Sequence, residues 1–297
     1  MKHIIKSVSL VLAAFGLMAC GNDNDLQHLD VRHTPMKFIV SHPARTRATA
    51  TDFERGDSIG LYVARADAPL EIGGNLVSNE SLTFDGNSWQ TSRPLYWDDG
   101  TYNAYAYYPY INKVSSIDDQ SFSVRTDQST VKTAMSLGGY EASDLLFATT
   151  KNIKASESPV SLVFRHIMSK LKIILVKGED FEGDMPTTAD VYVHGTVPTA
   201  TVDLQAGVVT RYVKGTQHTI KAHQDGESTY SAIIVPQRID TRQPLVEVVM
   251  NGVSYMFEGK FVFKPGVEHL VRLVINRNPG NEKIHVSGET GKWDSDR

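Results

Sequence analysis

The sequence predicts an all-β protein built from two β-sandwich domains. Its 297 residues suffice for two domains of about 150 residues each. After residue 20, short apolar runs recur at intervals of about 8–12 residues, and turns rich in Gly, Asn, Asp and Pro separate them, which is typical of β-sandwiches. No segment after residue 20 shows sustained helical periodicity.

The composition is that of a globular protein with a mildly acidic charge. Hydrophobic residues make up 41% of the chain and charged residues 22%, which argues against a largely disordered protein. The formal net charge is −4, and it becomes −6 (28 basic against 34 acidic residues) once Lys2 and Lys6 are removed with residues 1–19. Because the chain has no block of Lys or Arg, we expect no nucleic-acid partner.

The chain starts with a leader, residues 1–19, that has the features of a secretory signal peptide. Two Lys residues supply its positive charge, and Val8–Leu17 is an apolar stretch too short to span a bilayer. The segment Leu17–Cys20 resembles the lipobox of bacterial lipoproteins, in which the Cys becomes the acylated first residue. Cys20 is the only Cys in the chain, so we expect lipidation there, with outer-membrane lipid as the partner of its acyl chains. The alternative is an ordinary signal peptide with a chance Cys.

A polar tether and the two domains follow the leader. Residues 20–34 form the tether, because Gly21–Asp25 is polar and acidic and predicts a solvated segment. This tether is either a plain linker or a surface-export signal. The N-terminal β-sandwich domain spans residues 35–157 and the C-terminal one residues 158–297, with a margin of about 15 residues on the boundary.

The N-terminal domain shows strand patterns joined by turn residues. Met36–Val40 is rich in β-forming residues and predicts a first strand. The next segment, His42–Thr49, carries a Pro and two Arg among small polar residues, and we expect it to be exposed and easily cleaved. Ile59–Val63 and Ser81–Phe84 predict further strands. Tyr102–Tyr108 alternates aromatic and small residues, which predicts a strand with tyrosines on one face.

The C-terminal domain shows the same pattern. Val160–His166 alternates apolar and polar residues, and Leu171–Val176 continues the β-rich sequence. Leu245–Val249 and Val253–Phe257 flank an Asn-Gly pair, which predicts a β-hairpin. His269–Ile275 predicts another long strand.

The sequence contains none of the common motifs of catalysis. It has no Gly-rich phosphate loop, no nucleophile elbow and no His-Glu-x-x-His zinc motif. His218 and His223 lie among polar residues without a nearby Cys, so a solvated role suits them better than a zinc site. His166 lies in an alternating strand, where a structural role is favoured. We therefore expect no catalytic residues, no cofactor and no metal.

The aromatic residues of the N-terminal domain have two interpretations. Trp89, Trp97 and the cluster Tyr102–Tyr110 could form a platform that stacks on sugars. Core and sheet-face roles are favoured, because aromatic residues suit strands. The sugar interpretation gives an alternative function, an outer-membrane surface lipoprotein that binds glycans or host ligands without polymerising.

A series of motifs in a fixed order resembles the fimbrillins of Bacteroidetes, the Mfa-like group. Each motif alone is weak, whereas the ordered set is fairly specific and covers nearly the whole chain. Besides the lipobox, the motifs are Thr46–Thr49, Phe53–Tyr62, Leu95–Trp97, Ala104–Pro109, Asp144–Ala148, Val163–Leu171, Ile234–Gln237, and Ile284–Ser287 with Trp293.

The resemblance implies two tandem transthyretin-like β-sandwich domains and a non-enzymatic pilus subunit that travels to the outer membrane as a lipoprotein. It also implies that an Arg-specific or trypsin-like protease cuts ahead of the first domain. The bond Arg47–Ala48 matches the cleavage position best, and Arg45 is the second choice. Cleavage would remove a first strand within residues 35–47, whose apolar residues are Met36, Phe38 and Val40. The alternative is that both Arg residues are only solvated linker charges.

The partners implied by the resemblance are other fimbrial subunits, of the same or another kind. A strand from a neighbouring subunit would fill the vacated groove, which is β-augmentation, and so build a fimbrium for cell adhesion. The candidate donor strand in this chain includes Ile284, Val286 and Trp293, although few apolar residues surround them. Shaft, tip and anchor positions all remain open.

Overall fold

The computed structural model describes residues 34–42, 53–133, 136–276, 282–283 and 290–292. Strands dominate these residues, and their one short helix is a 3₁₀ turn at Glu141–Ser143. The predicted all-β class is therefore confirmed. Within the described ranges, no helix is both long and apolar enough to cross a membrane.

The strands of the first half alternate with short turns, as the spacing of Gly, Asn and Asp indicates. They are β1 (Phe38–Ser41), β2 (Ser58–Arg65), β3 (Val77–Phe84), β4 (Trp89–Thr91), β5 (Thr101–Tyr108), β6 (Gln120–Ser123), β7 (Leu146–Lys154), β8 (Val160–Val163) and β9 (Arg165–His166).

The second half contains the longer strands. They are β10 (Ser169–Lys177), β11 (Asp190–Thr196), β12 (Thr199–Asp203), β13 (Val208–Arg211), β14 (His218–Lys221), β15 (His223–Gly226), β16 (Thr229–Ile234), β17 (Gln237–Met250), β18 (Val253–Phe263), β19 (Val267–Ile275), β20 (Glu282–Lys283) and β21 (Thr290–Lys292). The predicted hairpin is confirmed: β17 and β18 are antiparallel around Asn251 and Gly252, whose φ angles are 48° and 78°.

A six-stranded antiparallel sheet, in the order β4-β3-β2-β5-β7-β9, organises the first half. Successive side chains of β2 point to opposite faces, so Leu61 and Tyr62 belong to different apolar clusters. We call the cluster on the Leu61 face the groove core. Its buried members are Ile59, Leu61, Val63, Val77, Leu82, Leu95, Trp97, Tyr102, Ala104, Ala106, Tyr108, Leu146, Ala148, Val160, Leu162 and Phe164.

The second half is a sandwich of two five-stranded sheets. One sheet has the order β15-β16-β10-β19-β21 and the other β14-β11-β17-β18-β20. Alternate residues of their strands, such as Ile173, Val193, Val248 and Leu273, are at most 1% exposed and share one apolar cluster. This cluster is the sandwich core expected for two facing sheets.

Two small sheets join strands from either side of the predicted domain boundary. β6 pairs with β12 in the three-stranded sheet β13-β12-β6, and β1 pairs with β8. β9, which follows β8, pairs with β7. Residues 160–166 therefore pair with strands that precede the predicted boundary at 157/158, and the division into two domains stays a prediction.

A buried glutamine contributes another link between the halves. Gln128 is 0% exposed, and its side-chain amide donates to the Ile233 carbonyl at 2.8 Å. Its side-chain oxygen accepts the Ile233 N–H at 2.8 Å. The two bonds imitate a strand pairing along β16, so the segment after β6 docks on the second sandwich.

Replacing Gln128 with Ala should destabilise the whole fold. The change leaves the Ile233 N–H and C=O buried without partners, so we expect the free energy of unfolding to fall by about 2–4 kcal/mol. Urea denaturation followed by tryptophan fluorescence would measure it. Gln90→Ala, at an exposed glutamine, is the matched control and should change the stability by less than about 0.5 kcal/mol; equal effects of the two variants would contradict the prediction.

Candidate functional site

The first strand lies over the groove core as a two-stranded parallel ribbon with β8. The paired residues are Phe38 with Val160, Ile39 with Ser161, Val40 with Leu162 and Ser41 with Val163. The ladder is bounded by the bonds from Val160 N–H to the Lys37 carbonyl, 2.8 Å, and from Phe164 N–H to the Ser41 carbonyl, 3.0 Å. β1 pairs with no other described strand.

The side chains of residues 36–40, in and just before β1, alternate between the groove core and the surface. Met36, Phe38 and Val40 are half-buried and pack on the groove core, whereas Ile39 is 54% exposed. Val163 on β8 is likewise 63% exposed. The alternation is the period of two expected for a strand with one buried face.

The start of the strand is paired on its other side. Met36 N–H donates to the Leu95 carbonyl at 2.8 Å, and Trp97 N–H donates to the Thr34 carbonyl at 3.0 Å. Pro35 and Tyr96 form the antiparallel bridge between these two bonds. The first strand thus has two different partners: residues 95–97 pair with its start, and β8 pairs with its end.

An aromatic cluster closes the other end of the groove. The Phe53 ring lies 4.9 Å from the His42 ring, 5.0 Å from Trp89, 5.5 Å from Tyr108 and 5.7 Å from Phe164, all in edge-to-face orientations. Such edge-to-face contacts stabilise the cluster beyond the effect of burying the rings. Burial raises the pKa of Tyr108 well above its usual value, because the charged form of the phenol is disfavoured away from water.

Lys132 clamps the turn that follows Phe53. Its Nζ lies 2.7 Å from Asp57 Oδ1 and 3.0 Å from Glu54 Oε2. Desolvation lowers the pKa of Lys132, but the hydrogen bonds and charges of Asp57 and Glu54 outweigh it and raise the pKa above its usual value. Gly56 N–H also donates to the Phe84 carbonyl at 2.8 Å. The turn is therefore fixed to the end of β3 by backbone and side-chain bonds.

A cleft of about 510 Å³ runs beside β1. Its far wall is formed by Leu82, Phe84, Trp89 and Leu95, and its near wall by β1 itself. The strand thus leaves part of the groove unfilled. Neither wall carries a catalytic arrangement of acids or bases.

The sequence predicted the removable strand and several sites around it. Met36, Phe38 and Val40 lie together on the inner face of the first strand, whereas their removal is untested and stays a prediction. The other predicted residues lie outside the described ranges: Cys20, Arg45, Arg47, Ala48, Ile284, Val286 and Trp293. The nearest described backbone to the candidate donor strand pairs within this chain, Glu282–Lys283 with β18 and Thr290–Lys292 with β19.

The aromatic platform proposed for sugar stacking is not formed. Trp97 is 2% exposed and belongs to the groove core, and Trp89 is half-buried against Phe53 and Phe84. The tyrosines at positions 102, 105, 107 and 108 are also buried. The prediction that they share one face is wrong, because Tyr102 and Tyr108 belong to the groove core whereas Tyr105 and Tyr107 belong to the other apolar cluster. The preferred interpretation as core residues is right for Trp97 and for these tyrosines, because their strand places them against packed sheets.

His166, His218 and His223 each contact a neighbouring protein side chain. His166 is 4% exposed, and its Nδ1 lies 2.9 Å from Asp144 Oδ1. His218 bonds to Thr216 at 3.0 Å, and His223 stacks on Tyr140. Among the described residues, no group of three or more His, Cys, Asp or Glu could hold a metal ion.

Sequence reasoning missed three features of the groove. It did not pair the first strand with β8, because parallel partners are distant in sequence. It did not identify Lys132, whose neighbours Glu54 and Asp57 lie far from it along the chain. Phe53 was noted only as part of the motif Phe53–Tyr62, although a single aromatic residue just after the Arg-containing segment was a usable signal.

Known proteins resemble this chain in sequence and in fold. The sequence profile of the Fimbrillin-like family matches residues 46–293, whereas none of the curated proteins is a significant match. A candidate cell adhesion protein of Bacteroides ovatus superposes with a TM-score of 0.66 at 17% identity, covering 89% of this chain and 99% of the other. A second one, of Bacteroides uniformis, gives 0.64 at 20% identity, covering 88% and 97%. The tip fimbrial protein Mfa3 of Porphyromonas gingivalis, truncated at its C-terminus, gives 0.50 at 9% identity, covering 87% and 100%. At these identities the structures show a shared fold.

Two neighbouring substitutions should separate groove packing from strand propensity. Phe38→Ser removes a half-buried ring from the groove core, so we expect β1 to detach more easily, by about 1–2 kcal/mol. Ile39→Ser, at the adjacent exposed position, is the control and should cost less than about 0.5 kcal/mol. Hydrogen exchange of the Val160 and Phe164 amides, which are bonded to β1, reports the difference. Equal exchange in the two variants would contradict the assigned faces.

Proposed function

Because this chain belongs to the Fimbrillin-like family, we propose that it is a structural, non-enzymatic subunit of a surface fimbrium that contributes to cell adhesion. Its partners are other fimbrial subunits, joined through an exchanged strand. The observation that carries the proposal is the placement of the first strand, which covers an apolar groove through a short ladder and three half-buried side chains.

The contacts of the first strand are suited to replacement by another strand. A fully buried apolar side chain contributes about 1.5–3 kcal/mol, so three half-buried ones contribute a few kcal/mol, which a competing strand can match. Removing the strand would expose Phe164, Leu162 and other residues of the groove core to water. Exposed apolar surface beside an open strand edge favours capture of an extended segment from a neighbour.

The segment that we propose as the protease substrate connects two residues in contact. His42 and Phe53, on either side of residues 43–52, have ring centroids 4.9 Å apart. Ten residues can extend to about 33 Å, so the sequence has ample length to enter a protease active site. Cleavage after Arg47, or after Arg45, leaves Phe53 on the retained side and the first strand on the released side.

We further propose that Cys20 anchors the precursor through its acyl chains, in the outer membrane and facing the surface. Support comes from the lipobox-like Leu17–Cys20 sequence and the single Cys. Because Cys20 precedes both proposed cleavage bonds, the anchor leaves with the first strand. Contacts with neighbouring subunits then retain the mature protein in the fimbrium.

Replacing both proposed cleavage residues, Arg45 and Arg47, should block assembly. Treatment of the precursor with an Arg-specific protease should give a new N-terminus at Ala48 and, on incubation, polymers that resist SDS. Arg47→Ala should move the cut to the bond after Arg45, and the double Arg45→Ala, Arg47→Ala variant should stay intact. Arg55→Ala, in the clamped turn, is the control and should be processed normally. N-terminal sequencing and unheated gels provide the readout; a precursor that is cut correctly but remains monomeric would contradict strand exchange.

Replacing the proposed anchor should change localisation. In cells without the processing protease, Cys20→Ser should move the protein from the membrane fraction to the soluble fraction, because the acyl chains supply the attachment. Metabolic labelling with a fatty-acid analogue should be lost in the same variant. Ser9→Cys, Cys20→Ser, which moves the thiol into the leader, is the control and should not restore labelling. Labelling that persists in Cys20→Ser would contradict the assignment.

A further inference from the structure

We propose that a pocket in the second half of the chain, where β17 begins and β18 ends, binds a small organic anion that carries a carboxylate on an apolar body. We call it the basic pocket. Its volume is about 510 Å³, and its lining residues are Arg238, Ile239, Asp240, Lys260, Phe261, Val262, Lys264 and His269. The proposal does not depend on fimbrial assembly, so it is tested separately from the proposed function.

An irregular stretch of the β17–β18 ladder lies beside the basic pocket. Ile239 pairs with Phe261, and the next pair is Gln243 with Gly259. Three residues of β17 thus lie opposite Lys260 alone. A bulge of this kind bends the strand and re-aims its side chains, and bulges are common next to binding sites. Lys260, the single residue opposite the bulge, is one of the lining residues.

Inward-facing residues give the basic pocket an apolar floor. Ile239 and Phe261 are buried members of the sandwich core. The rings of Phe261 and His269 lie 5.2 Å apart in an edge-to-face orientation. Val262 adds an apolar side chain that is 39% exposed. An organic molecule in the pocket would therefore cover apolar surface that water now contacts, which favours binding.

His269 belongs to the floor as an uncharged ring. It is 2% exposed, and its Nε2 accepts the Lys264 N–H at 3.1 Å. Burial lowers the pKa of His269, and the nearby charge of Lys264 lowers it further, to about 4. At neutral pH the positive charge of the basic pocket is therefore carried by its Lys and Arg side chains and not by the imidazole.

Two positive charges of the basic pocket are not neutralised by the part of the chain that the structure describes. Arg238 is neutralised, because its Nε lies 3.1 Å from Asp240 Oδ1. Lys260 and Lys264, in contrast, form no ion pair with a described carboxylate. This local excess of positive charge lies in a chain whose formal net charge is −4.

Acids on the same two strands are paired with other cations. Glu258, on β18, lies 3.1 Å from Arg242 Nε, and Glu268, on β19, lies 3.1 Å from Lys170 Nζ. A carboxylate supplied by a ligand would thus complement the two remaining lysines. Charge complementarity therefore selects an anion for the basic pocket.

The apolar floor and the two lysines together define the ligand class. Ligand sites commonly have volumes of about 300–1,000 Å³ and apolar walls, with a few polar groups that orient the ligand. An exposed ion pair by itself contributes little to binding, so a bare anion is not enough. A neutral apolar molecule leaves the ammonium groups of Lys260 and Lys264 without a partner. Only a molecule with both parts uses both features of the basic pocket.

Titration calorimetry with three related compounds tests the ligand class. The protein is the full chain carrying Cys20→Ser, and the probe is phenylbutanoate. Phenylbutanol lacks the charge of the probe, and acetate lacks its apolar body. We expect phenylbutanoate to bind at least about tenfold more tightly than either compound. Equal binding of phenylbutanol or acetate, or no binding of phenylbutanoate at about 5 mM, would overturn the proposal.

Charge-matched variants test whether the lysines of the basic pocket hold the carboxylate. Lys260→Gln combined with Lys264→Gln should weaken phenylbutanoate binding at least about threefold, because both ammonium groups are removed. Lys113→Gln combined with Lys214→Gln removes the same charge at two exposed positions outside the pocket, and solvent ions screen such distant charges. This control should leave the affinity nearly unchanged. Equal weakening in the two double variants is the result that would refute a local site.

A pair of substitutions at Val262 tests the location without removing a lysine. Val262→Asp places a negative charge in the lining, whereas Val262→Asn has nearly the same shape and no charge. Any loss of strand stability is therefore shared by both variants, and circular dichroism verifies their fold. We expect phenylbutanoate to bind Val262→Asp at least about fivefold more weakly than Val262→Asn, because like charges repel. Equal affinities would show that the anion binds elsewhere and would overturn the assignment.

Discussion

The apolar face of the six-stranded sheet must be covered, and the structure covers it with a minimal element. A two-stranded ribbon, together with residues 95–97, lies over the groove core, where Leu61 and Leu162 are 0% exposed. An uncovered face of this kind is unstable in water, because apolar surface is costly to expose. The subunit therefore needs some strand in the groove at all times, and its own first strand meets that need with few hydrogen bonds.

The groove walls are more extensively paired than the strand that occupies the groove. The walls belong to long antiparallel strands and to a turn that Lys132 clamps on two carboxylates. The occupant has few paired residues: Phe38–Ser41 pair with β8, and residues 34–36 pair with residues 95–97. The strand exchange proposed above would use such an asymmetry, since a groove that collapsed with its strand would present no template to a neighbouring subunit.

Much of this architecture was predictable from local patterns. The β-rich segments Met36–Val40 and Ile59–Val63 and the alternation at Tyr102–Tyr108 predicted strands, and Asn251-Gly252 predicted the long hairpin. The position of the domain boundary was harder to predict from the sequence, because β6 and β8 pair with strands on the other side of it. Lys132 could not be predicted either, since its role depends on two acids brought near by folding.

The sequence by itself determined the all-β class, many of the strand positions, the lipobox-like leader and the Arg-containing segment ahead of Phe53. These are local features, and the period of two and the turn residues encode them directly. Only the tertiary structure decided that the first strand runs parallel to β8 and that His42, just after it, contacts Phe53. Long-range packing determines which distant strands pair and brings the rings of Phe53 and His42 into contact. No local pattern specifies such packing.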